Sequence, residues 1–164
     1  MKILGLDLST SICGWAISDE NIIINAGFFN ISKVKKYKDK ANIIINGLLD
    51  QKFDKVNVEE TLSGFKFGRT SQQTLLKLAK NKAVICYILE ETWKVPIFYA
   101  NATTMRKKVF GKASMKGVDS KEFVKQQIPL VVPNIKNFEK PNRDGNWDAH
   151  NSDMYDAVVA ALYN

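Results

Sequence analysis

Residues 3–18 read ILGLDLSTSICGWAIS, and this stretch decides the fold. Apolar residues dominate residues 3–9, a turn of small residues follows, and residues 13–18 have the composition of a second strand. Residues 21–29, NIIINAGFF, form a third β-rich run of similar length. Short polar turns join the three runs, so the chain is predicted to begin with a three-stranded antiparallel meander.

The rest of the chain alternates between helical and extended patterns. Apolar residues recur every three or four positions in residues 34–49 and again from Ser71 to Glu90, which predicts two helices. Lys55–Glu59 (KVNVE) and Val95–Ala100 (VPIFYA) read as the fourth and fifth strands. Residues 103–110, 120–127 and 153–162 are predicted to be helical, and the last helix is expected to be capped by Asn151 or Ser152. Residues 131–150 contain Pro, Asn and Gly and are predicted to form an irregular loop.

This order of elements predicts an α/β fold. Three antiparallel strands followed by alternating helices and strands give a mixed five-stranded sheet, antiparallel and then parallel, flanked by helices. The order is similar to that of the ribonuclease H-like fold. A length of 164 residues fits one domain, 1–164.

Composition limits the class of protein. No apolar run approaches the roughly 20 residues that cross a bilayer, and the first residues do not resemble a signal peptide, so a cytoplasmic protein is expected. Cys13 and Cys86 are isolated and are predicted to be buried free thiols rather than zinc ligands. The formal net charge of +7 suits a nucleic-acid partner, although many basic proteins have none.

Four carboxylates stand at unusual positions. Asp7 lies inside an apolar strand, Glu59 ends a second strand, and Asp153 and Asp156 share one face of the last helix. If the first and fourth strands are neighbours, the four groups converge and can bind Mg²⁺, with Mn²⁺ as a substitute, because hard cations prefer oxygen ligands. Ordinary structural roles are the alternatives: Asp7 as a turn cap, Glu60 in place of Glu59 after a one-residue shift in register, and the last pair as partners of a helix dipole.

Three separated motifs resemble the RuvC family of Holliday-junction resolvases. Residues 4–17 (LGLDLSTSICGWAI) look like the opening motif with the first catalytic Asp, and VNVEE looks like the second motif, which favours Glu59. SDMYDAVVAAL is similar to the closing helix with its two metal-binding Asp residues. The resemblance implies a metal-dependent crossover junction endodeoxyribonuclease with Asp7, Glu59, Asp153 and Asp156 as ligands. The chain looks most like bacteriophage-encoded members, which cut junctions, forks and flaps with low sequence specificity.

The resemblance also implies contacts with DNA. Phe65 or Phe67 would be a wedge at the branch point, with Lys66 and Arg69 on nearby phosphates, unless one Phe packs onto the core. Arg106 and Lys121 match basic positions around the scissile phosphate, and Lys107 and Lys108 are neighbouring candidates. His150 is the only histidine, and it is either a proton shuttle or incidental.

The expected assembly is a homodimer with the helix of residues 71–90 in its interface, because a two-fold dimer matches the symmetry of a four-way junction. Three alternatives stay open. The turn DLSTS also resembles the first phosphate loop of actin-like kinases, which need a second lobe. A ribonuclease acting on structured RNA has the same charge and metal site, and a DNA-binding module without activity has structural carboxylates only.

Overall fold

The computed structural model describes residues 1–60 and 72–164. The chain begins with three antiparallel strands, β1 (Lys2–Leu8), β2 (Ile12–Asp19) and β3 (Ile22–Asn30). A two-residue turn joins β2 to β3, with φ angles of 48° at Glu20 and 66° at Asn21. Left-handed conformations at both positions match the right-handed twist of a hairpin. The predicted meander is confirmed.

Two further strands complete a mixed five-stranded sheet. β4 (Lys55–Glu59) pairs in parallel with β1, and β5 (Ile97–Ala100) pairs in parallel with β4, which gives the order β3-β2-β1-β4-β5. β1 is therefore the central strand. The register pairs Leu6 of β1 with Val58 of β4. Asp7 and Glu59 are the next residues of these two parallel strands, so they lie at the same end of the sheet.

In the described parts of the chain, five α-helices cover the two faces of this sheet. α1 (Tyr37–Gly47) and α2 (Gln72–Trp93) pack with Leu4, Leu6 and Leu8 of β1 in one apolar cluster. α3 (Ala102–Phe110), α4 (Ser120–Val131) and α5 (Asn151–Leu162) enclose a second cluster on the opposite face. Cys13 and Cys86 are buried free thiols, as predicted. Within the described residues, no helix combines the length and the apolar character that a membrane span requires.

The ends of several helices differ from the sequence prediction. α1 is shorter than residues 34–49, and α4 continues past Pro129 to Val131, because the ring of a proline removes one hydrogen bond without excluding a final helical turn. The predicted first residue of the long helix, Ser71, lies outside the described residues.

The predicted cap of α5 is wrong. His150 occupies the N-cap position and its side chain makes no capping hydrogen bond. The Asn151 side chain is instead bonded to the backbone of Lys140, accepting from the amide at 3.0 Å and donating to the carbonyl at 2.8 Å. Ser152 donates to the Ala149 carbonyl at 2.8 Å. These bonds fasten the predicted loop, which contains one 3-10 turn at Ile135–Asn137, to the start of α5.

Two glycines bring α5 against the bare backbone of the sheet. A methyl group on Gly14 would lie 2.0 Å from the Asp153 carbonyl oxygen, and one on Gly5 would lie 2.2 Å from that of Ala157. At the other end of α5, the Ser18 hydroxyl donates to the Ala161 carbonyl at 2.6 Å. α5 is thus held along its length, with its first turn beside the end of β1.

Candidate active site

The carboxyl ends of β1 and β4 meet the first turns of α5 at one end of the sheet. Asp7 and Gly14 are cross-strand partners, and Gly14 faces Asp153, so Asp7 points toward α5. Side chains alternate along β4, and Asn57 contacts the Ala160 carbonyl of α5 at 2.9 Å, which places Glu59 on the same face. The four predicted carboxylates therefore share one face of the sheet.

These four groups influence one another electrostatically. Burial raises the pKa of Asp7 well above its usual value, and the charges of Glu59, Asp156 and Asp153 raise it further. Burial also raises the pKa of Glu59, and Asp156 adds to that rise. Glu60 is exposed, so the register brings Glu59 rather than Glu60 among the other carboxylates.

Arg106 and Lys121 reach the same place from α3 and α4. An Arg106 guanidinium nitrogen lies 2.9 Å from a carboxylate oxygen of Asp156, and another donates to the Ser120 hydroxyl. Burial raises the pKa of Asp156, while Arg106 acts in the opposite direction. Lys121 Nζ lies 3.4 Å from Asp153, and its side chain is 60% exposed against 12% for Arg106. Arg106 is thus a buried partner of one carboxylate, and Lys121 has access to solvent.

His150 also contacts the site. Its Nδ1 lies 3.3 Å from the second carboxylate oxygen of Asp153, and its ring is tilted against that of Phe28 at 5.6 Å. Lys121 and His150 therefore contact different oxygens of the Asp153 carboxylate. The histidine has a defined contact, which the sequence alone did not indicate.

The donor set fits a divalent cation in its chemistry. Among residues 1–60 and 72–164, no group forms a hydrogen bond or ion pair with the Asp7 carboxylate, although burying a charge without a partner is costly. Carboxylates supply hard oxygen ligands of the kind that Mg²⁺ binds. In the described part of the chain, however, no three acidic, imidazole or thiol groups are close enough to form a finished metal site.

Two polar residues of α2 at this end of the sheet were missed by the sequence reasoning. Lys82 is buried and its ammonium group donates to the backbone carbonyl of Glu59, while Asn81 is buried and donates to the Ser9 carbonyl at 2.9 Å. Burial lowers the pKa of Lys82, and Asp7 and Glu59 oppose that shift. A signal was present, because Lys82 interrupts the buried stripe of α2 that continues with Ile85 and Leu89.

Of the predicted DNA contacts on α3, Lys108 is not brought to this site. Lys108 lies beside Asn21 and Asn164, at the far end of the sheet from the carboxylates, and Lys107 is exposed on the same helix. Their predicted role in DNA binding stays a prediction. Phe65, Lys66, Phe67 and Arg69, the predicted wedge and its neighbours, lie outside the described residues.

A cavity of about 510 Å³ opens next to the carboxylates. It lies between the first turns of α4 and α5, the start of β2 and the loop before α5. Lys121 and Asp153 belong to both the cavity and the carboxylate site. The walls of the cavity also include Ile12, Glu122, Lys125 and Trp147.

The sheet order, the helices on both faces and the acidic residues at the ends of the central strands define a ribonuclease H-like fold. Solved structures of this class share it. The RuvC of Thermus thermophilus, in complex with a Holliday junction substrate, superposes with a TM-score of 0.68 at 14% identity, over 99% of this chain and 92% of that one. The yeast mitochondrial Holliday junction resolvase gives 0.65 at 15% identity, over 98% and 75%. At such identities the likeness is one of fold.

A relative identified by its sequence is also a RuvC protein. The crossover junction endodeoxyribonuclease RuvC of Aliarcobacter butzleri is 28% identical over 175 aligned residues, which cover 99% of this chain and 96% of the relative. No protein-family model matches the chain. The resemblance to RuvC that the three motifs indicate is confirmed, and the chain is RuvC-like over nearly its whole length. A bacteriophage origin stays a prediction.

Proposed function

We propose that this chain is a divalent-metal-dependent endonuclease that resolves four-way DNA junctions and cuts other branched DNA with low sequence specificity. One observation carries the proposal. Carboxylates from the beginning, middle and end of the chain gather on one face of the sheet, in a chain that aligns end to end with a crossover junction endodeoxyribonuclease. The protein would act on DNA in the cytoplasm.

Asp7, Glu59, Asp153 and Asp156 are the proposed ligands of Mg²⁺, for which Mn²⁺ would substitute. When bound, such a cation activates water and stabilises charge on the oxygens of the scissile phosphate. Asp7 is the central ligand, since it comes from the middle strand and feels the charge of the other three. Cutting would leave 5′-phosphate ends.

The basic residues have separate proposed roles. Lys121 is largely exposed beside Asp153, so its ammonium group can bind a non-bridging oxygen of the phosphate. Arg106 is mostly buried and holds Asp156, so it positions that carboxylate and compensates its charge. His150 orients Asp153 through its Nδ1. Lys82 fixes the end of β4 through the Glu59 carbonyl.

A homodimer is the proposed assembly. The outer face of α2 carries Leu76 and Tyr87, which are 55% and 66% exposed, with Val84 between them. Residues at this spacing share one side of a helix, and large apolar residues exposed on one side of a helix are typical of an interface. Two copies related by a two-fold axis would place two sites on opposite strands of a junction and produce paired nicks. Lys66, Arg69, Lys107 and Lys108, with Phe65 or Phe67 as a wedge, remain proposed DNA contacts.

A nicking assay tests the proposal. Synthetic four-way junctions, flaps and a linear duplex of equal length are incubated with the protein in Mg²⁺ and in a chelator. We expect cutting of the branched substrates only when Mg²⁺ is present, and its loss in Asp7→Asn while junction binding is retained. Asp50→Asn is the matched control, because Asp50 is exposed on the surface.

Related measurements separate the proposed function from the alternative functions. Preferential cutting of an RNA duplex in competition with the junction would favour a ribonuclease. Binding without cutting in both Mg²⁺ and Mn²⁺ would favour a DNA-binding module. Turnover of ATP without cutting would favour a kinase-like protein. Near wild-type cutting by Asp7→Asn would refute the assigned site.

A further inference from the structure

None of the proposed roles in metal binding or phosphate binding uses the cavity beside Asp153. It is continuous with the carboxylates through Asp153 and Lys121, so any group that fills it would lie next to the scissile phosphate. Its volume of about 510 Å³ lies within the range typical of small-molecule sites. Its size and position therefore suit part of a nucleotide adjacent to the cut.

Trp147 provides a fixed aromatic surface in this cavity. An isolated bridge to Pro141 holds its backbone, and its ring packs edge-on against Tyr155 at 6.2 Å. The Lys125 ammonium group lies 4.5 Å from the ring centroid, over one ring face. A lysine side chain is long and its ammonium group is strongly hydrated, so a planar ligand can displace it from the face of the ring. The indole is thus a prepared stacking surface.

Two further wall residues, Ile12 and Glu122, suit a base. Ile12 is buried and contributes an apolar wall, whereas Glu122 contributes a negative charge. A carboxylate repels a phosphate but accepts hydrogen bonds from the amino group of a base. Stacking on an aromatic ring combined with a hydrogen-bond acceptor is how proteins bind a base that has left the duplex.

We propose that this cavity receives one unpaired nucleobase that flanks the scissile phosphate and stacks on Trp147. The inference rests on the proposed nuclease function and adds a substrate-positioning site to it. Branched DNA supplies the ligand, because pairing is interrupted at the branch point. Seating that base would align the adjacent phosphate with Asp153 and Lys121.

Abasic substitution tests the inference. Four-way junctions are made with a single abasic site at each of the two positions on either side of the cut, and wild type, Trp147→Ala and Trp147→Phe are compared. Phe98→Ala is the control, since Phe98 is an exposed aromatic on β5 near Lys55. On the intact junction we expect Trp147→Ala to cut about 10-fold more slowly, from the usual strength of base stacking, Trp147→Phe to lose less than Trp147→Ala, and the control to stay near wild type.

The decisive comparison is between substrates. At one abasic position the wild type should slow by a similar factor, and Trp147→Ala should add no further loss. The inference is overturned if Trp147→Ala loses the same factor on every substrate, or if no abasic position slows the wild type. The second result needs no variant, so a poorly folded Trp147→Ala does not affect it. A wild type that cuts no branched DNA overturns the proposed function, whereas insensitivity to abasic sites in an active enzyme overturns only this inference.

Discussion

Replacing Asp7 with Asn should make the metal-free protein more stable while it removes activity. The folded protein raises the pKa of Asp7, first by burial and then through three neighbouring carboxylates. A raised pKa means that the folded state binds the proton more tightly than the unfolded state. The ionised carboxylate therefore opposes folding above the raised pKa, and this cost disappears below the unfolded value of about 3.9.

The size of the effect follows from the surroundings of Asp7. A buried charged group without a partner costs about 1–3 kcal/mol or more, and Asp7 keeps part of its surface open, so the lower part of that range applies. We expect Asp7→Asn to raise the free energy of unfolding by about 1–2 kcal/mol at pH 8 in a chelator. For a domain of this size, that corresponds to roughly 2–8 °C in Tm.

Thermal or urea unfolding at pH 8 and near pH 4 measures this difference. The gain should be present at pH 8 and shrink near pH 4, where the wild-type carboxyl is protonated in the folded state and about half protonated in the unfolded state. Asp50→Asn, on the surface, should change stability by less than about 0.5 kcal/mol at either pH. Mg²⁺ should stabilise the wild type more than Asp7→Asn. An Asp7→Asn protein that is equally or less stable at pH 8 would refute the view of Asp7 as an uncompensated charge.

Three further variants test other parts of the site. Arg106→Ala leaves the buried Asp156 carboxylate without its partner, so the free energy of unfolding, measured in urea, should fall by about 3 kcal/mol. Lys107→Ala, on the exposed side of the same helix, is the control and should change this free energy little. Lys82→Met keeps a side chain of similar length but loses the donor to the Glu59 carbonyl, so cutting should fall about 10-fold or more with a circular dichroism spectrum like that of the wild type. Tyr87→Glu puts a charge on the exposed face of α2 and should shift sedimentation toward a monomer; an unchanged dimer would exclude that face as the interface.

The strands and their order could be predicted because their signal is local. Alternating apolar runs with short turns define β1 to β3, and Asp7 stands out because it breaks an apolar strand. The choice of Glu59 over Glu60 depends on the register of β4 against β1. The resemblance of VNVEE to the second RuvC motif is what favoured Glu59 in the sequence.

The surroundings of the carboxylates could not be predicted in the same way. Asn81 and Lys82 lie on a helix that is distant in sequence from the residues they contact, and only the packing of α2 under the sheet brings them there. The contact between His150 and Asp153 depends on how the loop enters α5. That entry is set by Asn151 bonding to Lys140 rather than capping the helix, a competition that spacing does not reveal.

The missing side chains at Gly5 and Gly14 set the distance between α5 and the sheet. A single methyl group at position 14 would act as a spacer under the first turn of α5 and lift Asp153 away from Asp7, with all four carboxylates chemically intact. Such a spacer would favour a larger ion over a smaller one, since Ca²⁺ bonds to oxygen are longer than those of Mg²⁺. We therefore expect the ion preference of the proposed site to be adjustable at a residue outside the proposed ligand set.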